Sequence, residues 1–180
     1  MKVKIKKLVE NAVIPYKTYN EDFCYDVVAT SEEQVAPNVW KYGIGLAFQI
    51  ERDEVYLGKE IINAASWVDN EGNQCETNVL KPLLFNFNSS PIKLSIDLRP
   101  RSSVWKTGMS LSNCEGTIDE LYRGEASAVF YHLMTDMPRY KVGDRIGQIK
   151  LGFTLPIEFE FVEELNKTER NSGGYGSTGK

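Results

Sequence analysis

The amino-acid sequence predicts an all-β domain, because its hydrophobic residues recur at every second position far more often than with a helical period. Residues 92–98 alternate apolar and polar side chains without a break, and residues 44–50 follow the same rule. Short segments of this kind are separated by glycine, proline, asparagine and aspartate, which is typical of a β-sandwich or barrel. The 180 residues, 42% of them hydrophobic, are enough for one domain with a substantial core.

Each alternating segment is interpreted as a strand. In chain order they are residues 3–8, 44–50, 92–98, 126–133 and 146–151. Residues 126–133 have apolar side chains on two faces, which predicts a strand inside a sheet sandwich. A Gly-Asp turn signal at residues 143–144 separates the last two strands.

Helical signals are few, and the C-terminal residues predict no regular structure. Residues 60–68 could form a short helix or an irregular connector, and residues 163–169 could form one helical turn at most. Residues 171–180 contain four glycines and no aliphatic residue, so they bury too little surface to order by themselves. We therefore expect a β domain over residues 1–165 and a flexible C-terminal arm over residues 166–180.

Composition and charge exclude several classes of protein. The net charge of −4 argues against a general nucleic-acid-binding protein, which usually has a basic face. No apolar stretch reaches the roughly 20 residues that a membrane span needs, and the N-terminus lacks the apolar core of a signal peptide. We expect a cytoplasmic protein with no membrane contact. The cysteines, Cys24, Cys75 and Cys114, suggest neither a disulfide framework nor a zinc site with His132.

Four segments concentrate polar groups that a β domain does not need for folding. They are Asp26 within an apolar run, Arg101-Ser102-Ser103 after a strand, Asp119 to Arg123 in a turn, and the glycine-containing arm. Taken singly, each has a simple structural explanation as a strand end, a solvated loop or a loose terminus. The arm also fits the first seven positions of a P-loop, but the chain ends at Lys180 without the Ser or Thr and the helix that a P-loop requires.

Taken together and in order, these segments resemble the five motifs of the trimeric dUTPase family. The motifs are FCYDVVA at 23–29, PRSS at 100–103, GTIDELYRG at 116–124, GDRIGQ at 143–148, and Arg170 with GGYGSTG at 173–179. The third and fifth motifs are long and specific, and the order of all five matches the family.

The resemblance implies a distorted jelly roll of the β-clip type, a homotrimer, and hydrolysis of dUTP to dUMP and pyrophosphate with Mg²⁺ as cofactor. Asp119 would activate the attacking water, Tyr122 would lie under the deoxyribose, and Asp26 would act through water on the Mg²⁺ of the triphosphate. The other substrate contacts implied are Asn113, Gly116 and Ile118 at the uracil, Arg101, Ser102, Ser103 and Gln148 at the phosphate chain, Arg170, Ser177 and Thr178 at the γ-phosphate, Tyr175 stacked on uracil, and Gly176 beside it.

The chain departs from the family pattern in three places. Phe23-Cys24 replaces a small Ala-Gly pair, and Asn171 stands where glycine is frequent. The segment of residues 51–90 is far longer than the family needs between its first and second motifs. This insertion is interpreted either as an elaborated loop or extra hairpin, or as a surface that binds a protein partner.

Three alternative functions fit parts of the pattern. A dCTP deaminase shares the fold, but it needs a carboxylate where this chain has Val129. A regulatory or protein-binding module on the same scaffold would account for the insertion without requiring Asp119. A jelly-roll structural protein, such as a viral shell component, would leave the arm unexplained.

Overall fold

The structure is a computed structural model that describes residues 1–87, 89–169 and 172, with the backbone alone for strand residues 54–67 and 76–85. It confirms the all-β prediction. The strands are β1 Lys2–Lys7, β2 Tyr25–Val28, β3 Ser31–Ala36, β4 Val39–Gly43, β5 Leu46–Glu51, β6 Glu54–Val68, β7 Gln74–Asn86, β8 Lys93–Arg99, β9 Met109–Leu111, β10 Gly116–Asp119, β11 Ser127–His132 and β12 Arg145–Thr154. A short 3₁₀ helix covers Val104–Thr107.

Two four-stranded sheets and two strand pairs make up the fold. The sheet that we call the site sheet has the strand order β10-β8-β12-β2, and the second sheet has the order β3-β4-β11-β9. Among the residues that the structure describes, strand β1 pairs only with β5, and β6 pairs only with β7. All of these pairings are antiparallel. Neighbours in the sheets are often distant in sequence, so most backbone pairing is non-local.

One apolar core holds both sheets and the β1–β5 pair together. The site sheet contributes Ile96 and Ile146, the second sheet contributes Tyr42 and Phe130, and β5 contributes Leu46, all of them buried. Tyr42, Phe130 and Tyr140 pack edge to face, and the Tyr42 hydroxyl donates to the Tyr140 carbonyl at 2.9 Å. A buried hydroxyl with a partner avoids the cost of desolvating an unpaired polar group.

The long hairpin β6–β7 corrects the expectation for residues 60–68. These residues lie inside β6, with Glu60 opposite Lys81 and Val68 opposite Gln74. They form neither a helix nor an irregular connector, because β7 pairs with the backbone along their whole length. At the hairpin tip, the Asp69 carboxylate accepts backbone hydrogen bonds from Glu71 and Asn73, each at 2.9 Å.

The remaining predictions of secondary structure concern the alternating segments and the possible helical turn at residues 163–169. The alternating segments near residues 3, 44, 92, 126 and 146 all form strands, as predicted. Residues 127–132 form a strand between β4 and β9, with Ala128 and Phe130 buried in the core, while Tyr131 and the following Leu133 are exposed. Residues 163–169 form no helical turn. Among the residues that the structure describes, no helix has the length and apolarity needed to cross a bilayer.

Candidate active site

The polar residues of the site sheet lie on one face, opposite the core. Residues directly across an antiparallel pair point to the same side of a sheet. Asp119 lies opposite Ser95, and Ser95 lies opposite Gly152. Gln148, four residues before Gly152 on β12, lies opposite Asp26. A spacing of four keeps the same side, so Asp119 and Asp26 face the same way. The strand alternation that buries Ile96 therefore turns both acids away from the core.

Asp26, Arg101, Arg145 and Gln148 form a group that we call the arginine cluster. Asp26 lies in β2 and is 9% exposed. Its Oδ1 accepts a hydrogen bond from Arg101 Nε at 3.0 Å, and its Oδ2 accepts one from a terminal nitrogen of Arg145, also at 3.0 Å. Its backbone N–H donates to the Tyr16 carbonyl at 2.7 Å. Asp26 is thus a buried strand residue that holds two guanidinium groups side by side.

Two adjoining cavities open beside the arginine cluster. The first, of about 420 Å³, is lined by Asp26 and Gln148 together with Arg101, Arg145 and Lys17. The second, of about 410 Å³, shares Arg101 and Arg145 with the first. Both guanidinium groups thus lie between two spaces large enough for a small anionic molecule, and their positive charge favours such a ligand.

The predicted Arg-Ser-Ser segment forms the turn that follows β8. The Val104 N–H donates to the Arg101 carbonyl at 3.0 Å, and the Lys106 N–H donates to the Ser103 carbonyl at 3.0 Å. These bonds start the short 3₁₀ helix. Ser103 lines the second cavity, whereas Ser102 is exposed at the outside of the turn.

Residues 119–124, which we call the carboxylate turn, follow β10. The Tyr122 N–H donates to the Asp119 carbonyl at 3.0 Å, which closes the turn. Arg123 donates to the Glu120 carbonyl at 2.7 Å, and the Tyr122 hydroxyl donates to the Glu125 carbonyl at 3.2 Å. Asp119 therefore lies at the end of its strand, as the sequence predicts, and borders a cavity of about 290 Å³.

Two glycines allow close contacts around the carboxylate turn: Gly124 with the ring of Tyr122, and Gly116 with the amide of Asn113. A Cβ at Gly124 would collide with the ring of Tyr122, so the ring can fold back over the chain only because residue 124 has no side chain. A Cβ at Gly116 would lie 3.3 Å from Nδ2 of Asn113, so the Asn113 amide lies close to the start of β10. The structure thus brings Asn113 and Gly116 together, with Ile118 two residues further along the same strand.

A buried charged pair separates the carboxylate turn from the arginine cluster. Asp97 accepts hydrogen bonds from Lys150 at 2.6 Å and from Ser95 at 2.8 Å. Burial raises the pKa of Asp97, but the hydrogen bonds from Lys150 and Ser95 outweigh it and hold the pKa below its ordinary value. Asp97 therefore stays ionised and bound to Lys150 at neutral pH.

Within one chain the predicted site residues fall into two groups. From the strand register, the Cα atoms of Asp119 and Asp26 are separated by three strand spacings across the sheet and four residues along it, roughly 20 Å in total. The structure therefore brings Asp26, Arg101 and Gln148 together, and separately Asp119 and Tyr122, but does not join the two groups. The predicted arm residues, Arg170, Tyr175, Gly176, Ser177 and Thr178, lie outside the described residues.

Arg145 is a site residue to which the sequence assigns no role. It lies within the fourth motif, but its partner Asp26 is 119 positions away. The contact depends on β12 pairing with β2, where the register shifts between Arg145 and Gly147. A charged residue at the start of a strand gives no local sign of such a pairing.

Comparisons with known proteins agree with this geometry. The family model described as dUTPase matches residues 76–179. A deoxyuridine 5'-triphosphate nucleotidohydrolase of Nautilia profundicola is 31% identical over 182 residues, which covers 100% of both chains. Another protein of that name, from Fusobacterium nucleatum, is 34% identical over 138 residues, covering 73% of this chain and 94% of its own.

Solved structures share the fold. The Staphylococcus bacteriophage 80alpha dUTPase with dUPNHPP superposes with a TM-score of 0.65 at 18% identity, covering 99% of each chain. A mutant dUTPase from phage phi11 of S. aureus, described with a coordinated structural Mg(II) ion, has a TM-score of 0.57 at 16% identity, covering 93% of this chain and 100% of its own.

We expect Asp26→Asn to lower the free energy of unfolding by about 1.5–3 kcal/mol, which is typical of lost hydrogen bonds to charged groups. The amide leaves two neighbouring guanidinium groups without their shared anion. Urea unfolding at pH 7 and equal protein concentration measures the change. Glu115→Gln is the control, because Glu115 pairs with Arg99 at the exposed surface and should cost less. Equal losses for the two variants would contradict the structural role of Asp26.

Proposed function

The chain belongs to the dUTPase family and hydrolyses dUTP to dUMP and pyrophosphate, and we propose that Asp119 is the general base of this reaction. One observation carries the proposal: Asp119 has no ion-pair partner among the described residues. The carboxylates of Asp26, Asp97 and Glu120, in contrast, are each held by a cation. A carboxylate that no cation neutralises can orient a water molecule and accept its proton. The water then attacks the α-phosphorus in line with the departing pyrophosphate.

The arginine cluster is the proposed site for the phosphate chain. Asp26 accepts one hydrogen bond from Arg101 and one from Arg145. Each guanidinium has five N–H donors, so most of them remain for phosphate oxygens. The triphosphate has about four negative charges, and fixed cations offset them without reorganising during the reaction. Three neutral donors complete the proposed phosphate site: Ser102, Ser103 and Gln148.

Mg²⁺ is the cofactor that we propose, bound mainly by the triphosphate. Among the described residues, no cluster of three or more His, Cys, Asp or Glu side chains could hold a metal ion. Mg²⁺ commonly relies on phosphate oxygens and water in this situation. Both oxygens of Asp26 already accept hydrogen bonds from arginines, which fits contact with the ion through water. When bound, Mg²⁺ supplies charge compensation at the phosphates.

The nucleoside contacts that we propose come from β10 and its two flanking loops. The backbone at Gly116 and Ile118, with the Asn113 amide beside it, would bind the uracil edge. Tyr122 would lie under the deoxyribose and leave no space for a 2′-hydroxyl. The arm residues Arg170, Tyr175, Gly176, Ser177 and Thr178 would close over the triphosphate and the base, a role that rests on the resemblance of the fifth motif.

A homotrimer is the assembly that we propose, with each active site shared between chains. The distance of roughly 20 Å between Asp119 and Asp26 favours a site in which different chains supply the base and the phosphate ligands. The segment after β12 supports an assembly as well. Phe159 is 90% exposed and Phe161 is 106% exposed, and apolar side chains of this size are usually covered in a protein's working state.

Binding of a protein partner through residues 54–86 is a second candidate function. A two-stranded hairpin is marginally stable by itself, and within the described part of the chain β6 and β7 pair only with each other. A partner would provide the missing support. In a pull-down, a variant in which a short turn replaces residues 55–85 should lose bound partners and keep dUTP hydrolysis. If the variant retained as much partner as the wild-type protein, this candidate function would be contradicted.

The relatives described above favour a diphosphatase over a deaminase.

We expect Asp119→Asn to lower kcat for dUTP by about 10²–10⁴-fold, the usual contribution of a general base. The amide preserves the size of the side chain but cannot accept a proton at neutral pH, so dUTP should still bind. Pyrophosphate release measures turnover, and calorimetry with a non-hydrolysable dUTP analogue measures binding. The control is Asp136→Asn at an exposed position outside the site. Unreduced turnover by Asp119→Asn would show that another group is the base.

We expect two inactive variants to restore activity when their chains assemble together. Differently tagged Asp119→Asn and Arg101→Ala chains are co-expressed, and the mixed trimers are isolated. If the base and Arg101 of a site come from different chains, one site in each isolated mixed trimer, about a third of the sites, combines two intact residues. Pyrophosphate release should then recover to about that fraction of wild type. No recovery in confirmed mixed trimers would mean that one chain supplies both residues.

A further inference from the structure

Arg52 uses every donor of its guanidinium group. It lies between β5 and β6, and its Nε donates to Glu120 at 2.6 Å. One terminal nitrogen donates to the carbonyls of Phe87 at 2.9 Å and Ser90 at 3.1 Å. The other donates to the Ile92 carbonyl at 2.8 Å and to the second oxygen of Glu120 at 2.8 Å. Five donors with five acceptors fix the planar group in one orientation.

The acceptors come from two parts of the chain that are distant in sequence. Phe87, Ser90 and Ile92 belong to the segment that leads from the hairpin into β8, while Glu120 belongs to the carboxylate turn. Arg52 precedes the hairpin on its other side. One side chain thus joins both ends of the β6–β7 hairpin to the turn that follows β10.

Glu120 is held firmly in this contact. It forms a two-pronged pair with Arg52, and both side chains are largely buried. Its Oε2 also accepts a bond from the Leu94 N–H at 3.4 Å. The hydrogen bond from Arg52 lowers the pKa of Glu120 below its ordinary value. A carboxylate whose pKa is lower in the folded than in the unfolded chain stabilises the fold at every pH above its unfolded-state pKa. The Arg52–Glu120 pair therefore persists at neutral pH and is lost only as the pH falls through the lowered pKa of Glu120.

Glu120 is part of the carboxylate turn, which also contains Asp119 and Tyr122. It follows Asp119 in sequence, and its carbonyl accepts a bond from Arg123. The Tyr122 N–H closes the turn onto the Asp119 carbonyl. Because these contacts tie residues 119–123 into one unit, a shift of Glu120 would move both Asp119 and Tyr122.

We propose that Arg52 is a positioning residue for dUTP hydrolysis, because it holds the carboxylate turn in place through Glu120. The proposal rests on the proposed roles of Asp119 and Tyr122. All five donors of Arg52 bond to groups of this chain, which leaves none for the substrate or the attacking water. Arg52 sets the positions of the general base, Asp119, and of the sugar contact, Tyr122, relative to the two ends of the β6–β7 hairpin.

Two distinct effects follow when the Arg52–Glu120 pair is weakened. A displacement of the base by about 1 Å can lower a rate about 100-fold, so kcat should fall. A displaced Tyr122 discriminates less well against a 2′-hydroxyl, so the preference for dUTP over UTP should fall as well. A residue that only stabilises the fold would change the folded fraction, which lowers both substrates' rates equally and leaves their ratio unchanged.

The test uses Arg52→Lys, which keeps the charge but loses the planar fork, and Glu120→Gln, which keeps the shape but loses the charge. For the full-length protein we measure kcat and KM with dUTP and with UTP, together with Tm. We expect each variant to lower kcat for dUTP by about tenfold to a hundredfold, and to lower the dUTP to UTP ratio of kcat/KM. If Arg52→Lys fails to fold, Glu120→Gln still tests the proposal.

The control is Phe130→Leu. Phe130 is buried in the apolar core on β11 of the second sheet, away from the carboxylate turn and from both cavities beside the arginine cluster. It should lower Tm comparably and leave kcat and the substrate ratio unchanged. If Arg52→Lys and Glu120→Gln lower Tm but keep kcat and the ratio, Arg52 is only structural and the proposal is wrong. Failure of the wild-type protein to hydrolyse dUTP would instead overturn the proposed function itself.

Discussion

The two-residue period of the site sheet is the constraint on which the rest of the structure depends. It turns Leu94, Ile96 and Leu98 of β8 towards the core, and the intervening Ser95 and Asp97 away from it. Neighbouring strands keep the same alternation through their register, so the polar residues of all four strands share one face. A slip of one residue in any strand would bury its charges in the core and expose its aliphatic side chains.

Charge pairing distinguishes the carboxylates on this face and in the adjoining carboxylate turn from one another. Asp26 is held by two arginines, Asp97 by Lys150, and Glu120 by Arg52. In each case a fixed cation holds the acid in one orientation, which suits a structural role. Asp119 has no such partner among the described residues and lies at the edge of a cavity. Three of these four carboxylates thus support the structure, and Asp119 is the one left for the proposed proton transfer.

The long hairpin can be accommodated because its two ends lie close together. The Phe87 N–H donates to the Asp53 carbonyl at 3.4 Å, and the Arg52 guanidinium donates to three carbonyls on the returning segment. The hairpin therefore begins and ends at one place between β5 and β8. Its attachment point includes the carboxylate turn through Glu120, so the hairpin and the proposed general base are linked by one contact.

The sequence by itself determined the all-β class, the positions of the main strands and the end of β10 at Asp119, because alternation and turn residues are local properties of the chain. The five motifs also identified the family. Only the tertiary structure decided that residues 60–68 are strand, that Arg145 meets Asp26, and that Arg52 meets Glu120. These outcomes depend on which strands become neighbours and in which register. Pairings across 68 and 119 positions have no local signal in the sequence.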